Sequence, residues 1–293
     1  MGASTRSLLI GADPELFVRD KNTKKYIVTP KMPGSKQKPF PVEDGAIQVD
    51  GCALEFNIKP AHNKKEFVSN IERMLGGLKS KLAELYPDAE LVAVPFVEFE
   101  DKYFKKVPAF MKQLGCEPDW CAYTEALRVM PEIKTAIRSA GGHIHVGFTK
   151  DVPDPTSLHH MELCSLAVQQ LDCSVFLPSV YFDKDVRRQQ LYGGPGAWRP
   201  KSYGFEYRAP SNTWVHKREL IEWMYDSIIT TMHLITKGFF LTDEGLLKGA
   251  VQFARNNPEG YAEAKPLHRN VHDCLLDYGM PQIPMAYIKS HAA

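Results

Sequence analysis

The chain has 293 residues, 44% hydrophobic and 24% charged: enough apolar material for one large domain or two ordinary ones, and a composition that excludes extended disorder away from the termini. Lys and Arg number 36 against 35 Asp and Glu, a formal charge of +1, so the overall balance points to neither a nucleic-acid nor a membrane surface. The 6 cysteines form no C-x-x-C pair and the first residues resemble neither a signal peptide nor a spanning helix, so the expectation is a cytoplasmic protein with free thiols.

In chain order, residues 7 to 19 (SLLIGADPELFVR) read as a strand running into a short turn, and 25 to 29 (KYIVT) as a second strand. The Pro/Gly/Lys stretch 31 to 45 reads as loop. Residues 46 to 58 (AIQVDGCALEFNI) alternate about Gly51 as a hairpin or a bulged strand. Residues 63 to 86 carry Phe67, Ile71, Leu75, Leu78 and Leu82 on one helical stripe, with Asn63 placed to cap it. Strands are expected at 90 to 97 and 142 to 148. A second, almost wholly apolar helix is expected at 156 to 178 around Leu163, Leu166, Val168 and Leu171, and a third at about 217 to 237, followed by a helical and then irregular C-terminal quarter. No repeat or long linker marks a boundary, so a single domain over 1–293 is expected, with its motifs in 10–214 and a helical part in 215–293. Clustered strands and long helices without βαβ alternation predict an α+β fold, helices packed on one side of a largely antiparallel sheet.

Four extended segments place polar pairs on one face, because side chains two apart in a strand point the same way. They are Asp13/Glu15 in GADPE, Glu55/Asn57 in LEFNI, His143/His145 in GGHIH and Glu206/Arg208 in GFEYR. Each pair alone is also what a solvated strand face looks like. Adjacent acids repel unless a cation lies between them, and Mg²⁺ takes hard oxygen ligands. Asp50 joins the Glu55 face only if the chain bulges at Gly51. The stretch RRQQLYGGPGAWRPK adds Arg187, Arg188, Arg199 and Lys201 around Gly193, Gly194 and Gly196, groups suited to phosphate oxygens, although it fits no phosphate-loop pattern. One sheet presenting all four pairs would make a metal–nucleotide enzyme. Trp198, Trp214 and Tyr203 either wall a substrate or pack the sheet. Cys116 and Cys121 in GCEPDWC have no second pair at zinc spacing and read as filler.

The ordered set GADPE, EFN followed by a proline, GGHIH and YGFEYR resembles the carboxylate–amine ligases of the glutamine synthetase and glutamate–cysteine ligase superfamily, in particular the phage-encoded type-2 COOH–NH2 ligases. The likeness runs from about Gly11 to Trp214. It implies a glutamine synthetase-like curved antiparallel sheet around the active site with helices on its outer face, and a place in the host cytoplasm if phage-encoded. It also implies ATP and Mg²⁺ (or Mn²⁺) as cofactors. By position, Glu15, Glu55 and Glu206 would be the principal metal ligands with Asp13 nearby, and His143 or His145 would face metal or nucleotide. Arg208 would contact phosphate or the reacting carboxylate. Arg187, Arg188, Arg199 and Lys201 fall in the phosphate region by type and order only. Asn57 stands where related glutamate–cysteine ligases lead one to expect a second acid.

The reaction so implied phosphorylates a carboxylate with ATP and lets an amine displace phosphate, with Glu15, Glu206 and Arg208 at the chemistry and a Glu or Asp taking the amine proton. The substrates expected are small-molecule or peptide carboxylates and amines, favoured over bulk nucleic acid by the near-neutral charge. A metal-dependent amide hydrolase would use the same acids and histidines with water as nucleophile. A kinase would keep ATP without forming an amide, and a nucleotide-binding protein would bind it without turnover. The oligomeric state is left open by the sequence.

Overall fold

The computed structural model describes residues 8–112, 118–128 and 136–292. Cys116 lies outside them. Among the described residues no helix is long and apolar enough to cross a membrane.

Among the described residues thirteen strands form, in chain order: β1 (Leu9–Asp20), β2 (Tyr26–Ile27), β3 (Phe40–Val42), β4 (Gly45–Asp50), β5 (Ala53–Ile58), β6 (Ala89–Val92), β7 (Phe96–Glu98), β8 (Trp120–Cys121), β9 (Ala126–Leu127), β10 (Ile137–Ser139), β11 (Gly142–Gly147), β12 (Ala197–Lys201) and β13 (Gly204–Tyr207). Eleven of them make one antiparallel sheet in the order β3-β4-β5-β1-β11-β13-β12-β8-β9, with β2 and β6 also on β1; β7 and β10 pair separately. The helices are α1 (Lys64–Leu85), α2 (Asp101–Phe104), α3 (Ala109–Lys112), α4 (Leu158–Leu171), α5 (Leu177–Ser179), α6 (Arg187–Leu191), α7 (Arg218–Thr236), α8 (Gly245–Asn256), α9 (Pro258–Tyr261), α10 (Lys265–Asp277) and α11 (Met285–Ala292). The fold is α+β with an open sheet.

Strand β1 organises the sheet because its 12 residues pair in turn with β11, β5, β6 and β2. Ile10, Ala12, Leu16 and Val18 enter the main core with Leu54, Phe56, Ile144, Val146, Phe205 and Tyr207. Helices α1, α4 and α7 cover that face: α1 lies on β4, β5 and β6, α4 on β12 and β13, and α7 against both helices. Asn63 caps α1 by accepting from the Glu66 amide. The opposite face carries the polar pairs. Beyond Glu15 that face is partly closed by a second, smaller core in which Phe17, Cys52 and Ala53 pack with Val97, Phe99, Val107 and Met111.

Four expectations change. The strand expected at 90–97 is broken into β6 and β7 around Pro95, which has no N–H to give a ladder. The loop expected at 31–45 contains β3, an edge strand whose Pro41 is tolerated because only one of its sides is paired. In the second helix Leu163 is 44% exposed, and the buried stripe is Cys164, Ala167, Val168 and Leu171; the nearly continuous apolar run gave no phase, and small side chains let α4 approach the sheet. That helix also widens into a π turn at Asp172–Phe176, where the Asp172 carboxylate accepts the Tyr207 hydroxyl at 2.7 Å. The C-terminal quarter is helical almost throughout, from α8 to α11, rather than irregular at its end.

Candidate active site

Strand register brings the four pairs together. Asp13 stands opposite His143, and Gly11 opposite His145. His145 in turn stands opposite Glu206, and Glu206 opposite Arg199. On the other flank Glu15 faces Glu55, and Glu55 faces Gln48. Residues directly opposite in a ladder share a face, so these side chains form one polar surface.

Asp50 belongs to it as well. A tight hairpin turn at Gly51 (φ 56°) pairs Asp50 with Ala53, which puts Asp50 on the Glu55 face without any bulge. Glu15, Asp50 and Glu55 each bring an oxygen within 4.8 Å of the others, and the carboxylate oxygens of Asp13 and Glu206 lie within the same distance of each other and of a His143 ring nitrogen. Asp50, from the neighbouring strand, thus adds a third acid beside Glu15 and Glu55, and Asn57 lines the adjoining cleft.

The glycine pair before His143 has a steric reason. A Cβ on Gly141 would fall 2.0 Å from His143 Nε2, and one on Gly142 would fall 2.3 Å from the Ser211 carbonyl oxygen. The freed Gly141 amide donates to Glu15 Oε2 at 2.6 Å, and the Tyr192 hydroxyl donates to the same oxygen at 2.9 Å.

Charge differs between the two clusters. Burial, then the Asp50 carboxylate, pushes Glu15 up to about 7. Burial followed by Asp13, Glu15 and Asp50 raises Glu55 well above the usual range, and burial also raises Asp50, against the pull of Lys36. Three carboxylates that resist ionising together are a set that a divalent cation completes, and all their donors are hard oxygens, as Mg²⁺ and Mn²⁺ require. The second cluster already holds positive charge. Burial opposes the Glu206 carboxylate, yet Arg208, His145 and Lys201 outweigh it and hold it well below the normal range. Lys201 Nζ lies 2.8 Å from Glu206 Oε2, Arg199 Nη1 3.8 Å from Oε1, and Arg208 Nη1 hydrogen-bonds Oε1.

His143 is kept neutral by burial and by Arg208. Arginine can only donate, so the 3.3 Å contact from Arg208 Nη1 makes Nδ1 the acceptor, the lone pair that also looks toward Asp13 and Glu206 at 3.7 Å. Asp13 Oδ1 is buried and lies 3.1 Å from His145 Nε2, though without hydrogen-bond alignment. Despite its burial, His145 is raised by Asp13 and Glu206, and its Nδ1 meets the Tyr203 hydroxyl at 2.5 Å. A cleft of about 910 Å³ opens beside this row, lined in part by Asp13, Glu55, Asn57, His145 and Tyr203.

The basic residues separate into two groups. Arg199, Lys201 and Arg208 are on the polar face, and Arg208 is further fixed by Asp119, Nε to Oδ1 2.5 Å. Arg188 is not available there as a phosphate ligand: its guanidinium is buried and donates to the carbonyls of Gly193, Arg208 and Ala209. Arg187 pairs with Asp185 and lies over the Phe96 ring at 4.3 Å, with no ion pair to the carboxylate row among the described residues. Trp198 and Trp214 are core residues, whereas Tyr203 walls the cleft. Asp119, Tyr192, Gln48 and Lys36 are additions of the structure. Asp50, expected on this face only with a bulge at Gly51, reaches it through the hairpin instead.

None of the curated proteins compared matches the chain. A model of the family described as "Phage phiEco32-like COOH.NH2 ligase-type 2" matches residues 133–254, a span that holds His143, His145, Arg199, Lys201, Glu206 and Arg208 together with α4 and α7. Over those residues this chain is similar to the type-2 phage COOH-NH2 ligases.

Proposed function

We propose that the chain is an ATP-dependent carboxylate–amine ligase that requires Mg²⁺ or Mn²⁺ and proceeds through an acyl phosphate. The observation that carries this reading is the pair of adjoining ligand clusters, Glu15/Asp50/Glu55 and Asp13/His143/Glu206, flanked on the same sheet face by Arg199, Lys201 and Arg208.

Divalent cations held by those clusters would neutralise phosphate charge and act as Lewis acids on the transferred phosphoryl group. In the first step a substrate carboxylate oxygen attacks the γ-phosphorus of ATP and ADP leaves, giving an acyl phosphate. In the second the amine nitrogen attacks the acyl carbon, inorganic phosphate leaves, the amide forms and one proton is lost. Arg199 and Lys201, now engaged with Glu206, are the cations placed to turn to phosphoryl oxygens. Arg208 supplies fixed positive charge, since Asp119 and Glu206 hold its orientation. His145, bound to Tyr203 at the cleft, faces nucleotide or substrate. The substrates expected are small-molecule or peptide carboxylates and amines.

The test is nucleotide turnover with Mg²⁺ or Mn²⁺ against a panel of amino acids, polyamines and peptide fragments. ADP release that depends on one carboxylate and one amine is the expected result. AMP release would replace phosphorylation by adenylation, and amide cleavage without nucleotide would make the protein a hydrolase.

A further inference from the structure

One buried tyrosine touches three of the residues assigned to chemistry. The hydroxyl of Tyr192 donates to Glu15 Oε2 at 2.9 Å. Its ring lies 6.1 Å, edge to face, from the His143 ring and 5.5 Å from the Arg208 guanidinium carbon. The ring is itself clamped from behind by Arg188, whose guanidinium carbon is 4.6 Å from its centroid. Arg188 cannot drift, because it is tied to the carbonyls of Gly193, Arg208 and Ala209 at 3.2, 2.8 and 2.8 Å. Gly193 is required for this: φ there is 70°, and a Cβ would fall 2.3 Å from Arg188 Nη2.

We propose that Tyr192 is a positioning residue for the metal centre: with the Gly141 amide it saturates Glu15 Oε2, so that Glu15 offers its other oxygen, Oε1, to the cation shared with Asp50 and Glu55. A carboxylate oxygen has two lone pairs, and two donors, Tyr192 Oη and Gly141 N, converge on Oε2. The carboxylate plane is then fixed before any ion arrives, which removes the rotational freedom a ligating glutamate otherwise loses on binding. Arg188, expected from its sequence context to bind phosphate, becomes the brace that keeps the Tyr192 ring, and through its bond to the Arg208 carbonyl the β13 exit, in place.

This inference rests on the metal reading above, and the experiment separates the two. Direct Mn²⁺ binding is measured by electron paramagnetic resonance on the full chain without nucleotide, for wild type, Tyr192→Phe and Glu15→Gln, with thermal melts of each. Tyr192→Phe removes one oxygen and keeps the ring that packs on Arg188, so its melting temperature is expected to remain close to wild type. Its Mn²⁺ affinity is expected to fall about 10-fold or more, the range for loss of a partner behind a metal ligand, and the metal concentration for half-maximal turnover to rise with a smaller change in kcat. Wild-type Mn²⁺ affinity in Tyr192→Phe, with or without a lower melting temperature, would overturn the positioning role. Absence of Mn²⁺ binding by wild type would overturn the metal centre itself and the role of Tyr192 with it.

Discussion

Gly141 lies under the His143 ring while its amide donates to Glu15 Oε2, so one residue without a side chain serves both clusters. Gly141→Ala would drive a methyl to 2.0 Å from His143 Nε2, and either the ring or the strand must shift. The expected outcome is a loss of about 1–3 kcal/mol in urea unfolding together with weakened Mn²⁺ binding in equilibrium titration. Unchanged Mn²⁺ affinity would show that His143 and Glu15 are not jointly held by this contact. Two glutamates of the row, one from each cluster, should separate activity from stability. Glu15 is a carboxylate that burial and Asp50 disfavour, whereas Glu206 is stabilised by Arg208, His145 and Lys201. Both Glu15→Ala and Glu206→Ala are expected to reduce metal-dependent ATP turnover to background. Only Glu206→Ala should also cost about 3 kcal/mol, because it leaves a buried Arg208 with one partner fewer. Full turnover in either variant would remove that residue from the site, and equal melting of the two would contradict the charge assignment.

At the scale of elements, the β4–β5 hairpin is what turns two acids into three. Gly51 at φ 56° permits the tight turn that pairs Asp50 with Ala53. Gly51→Val forces a β-branched residue into the left-handed region, a cost of about 1–2 kcal/mol, and should loosen Asp50 more than Glu55, which the next strand, β1, also holds. A variant that binds Mn²⁺ like wild type would exclude Asp50 from the ion's ligands. Strict alternation is the reason so much of this face was legible in sequence: in β1, β5, β11 and β13 each polar pair announced its own face. Asp50 was missed as an unconditional member because parity counted along one continuous strand breaks at a hairpin, where register restarts. Asp119 and Tyr192 were unreadable for another reason, since they reach Arg208 and Glu15 across 89 and 177 residues of chain. The arginines of 187–199 were misassigned in part because charge type says nothing about whether a guanidinium faces a cleft or, like Arg188, a row of carbonyls. Leu163 was misjudged because a helix apolar nearly all round carries no phase.

The whole molecule stores like charge on one face of its sheet, and this makes stability depend on pH in a direction opposite to the common case. Glu15 ionises at about 7 in the folded chain against 4.5 unfolded, and Glu55 and Asp50 are raised too. Groups raised in this way hold their proton longer in the native state, so their stabilisation is complete below the unfolded value and is lost as pH rises through the folded one. His143, lowered by burial and by Arg208, works in the other direction, but its contribution is complete once the unfolded imidazole has lost its proton near 6.5. Above that pH the carboxylates dominate. The buried Asp172, raised to about 7 by burial in the helical layer, adds a drop of the same sign that no ion on the polar face can relieve. Metal-free protein is therefore expected to lose on the order of 2 kcal/mol between pH 6.5 and 8.5, read as a falling melting temperature in chelator. Added Mn²⁺ or Mg²⁺ should recover most of that loss, with a larger shift at pH 8.5 than at 6.5, because binding competes with protons on Glu15, Asp50 and Glu55. A metal-induced shift that is equal at the two pH values would mean that the ion binds elsewhere than on the raised carboxylates. A chelated protein whose stability is flat across the window would contradict the raised ionisation of Glu15 and of Asp172 alike.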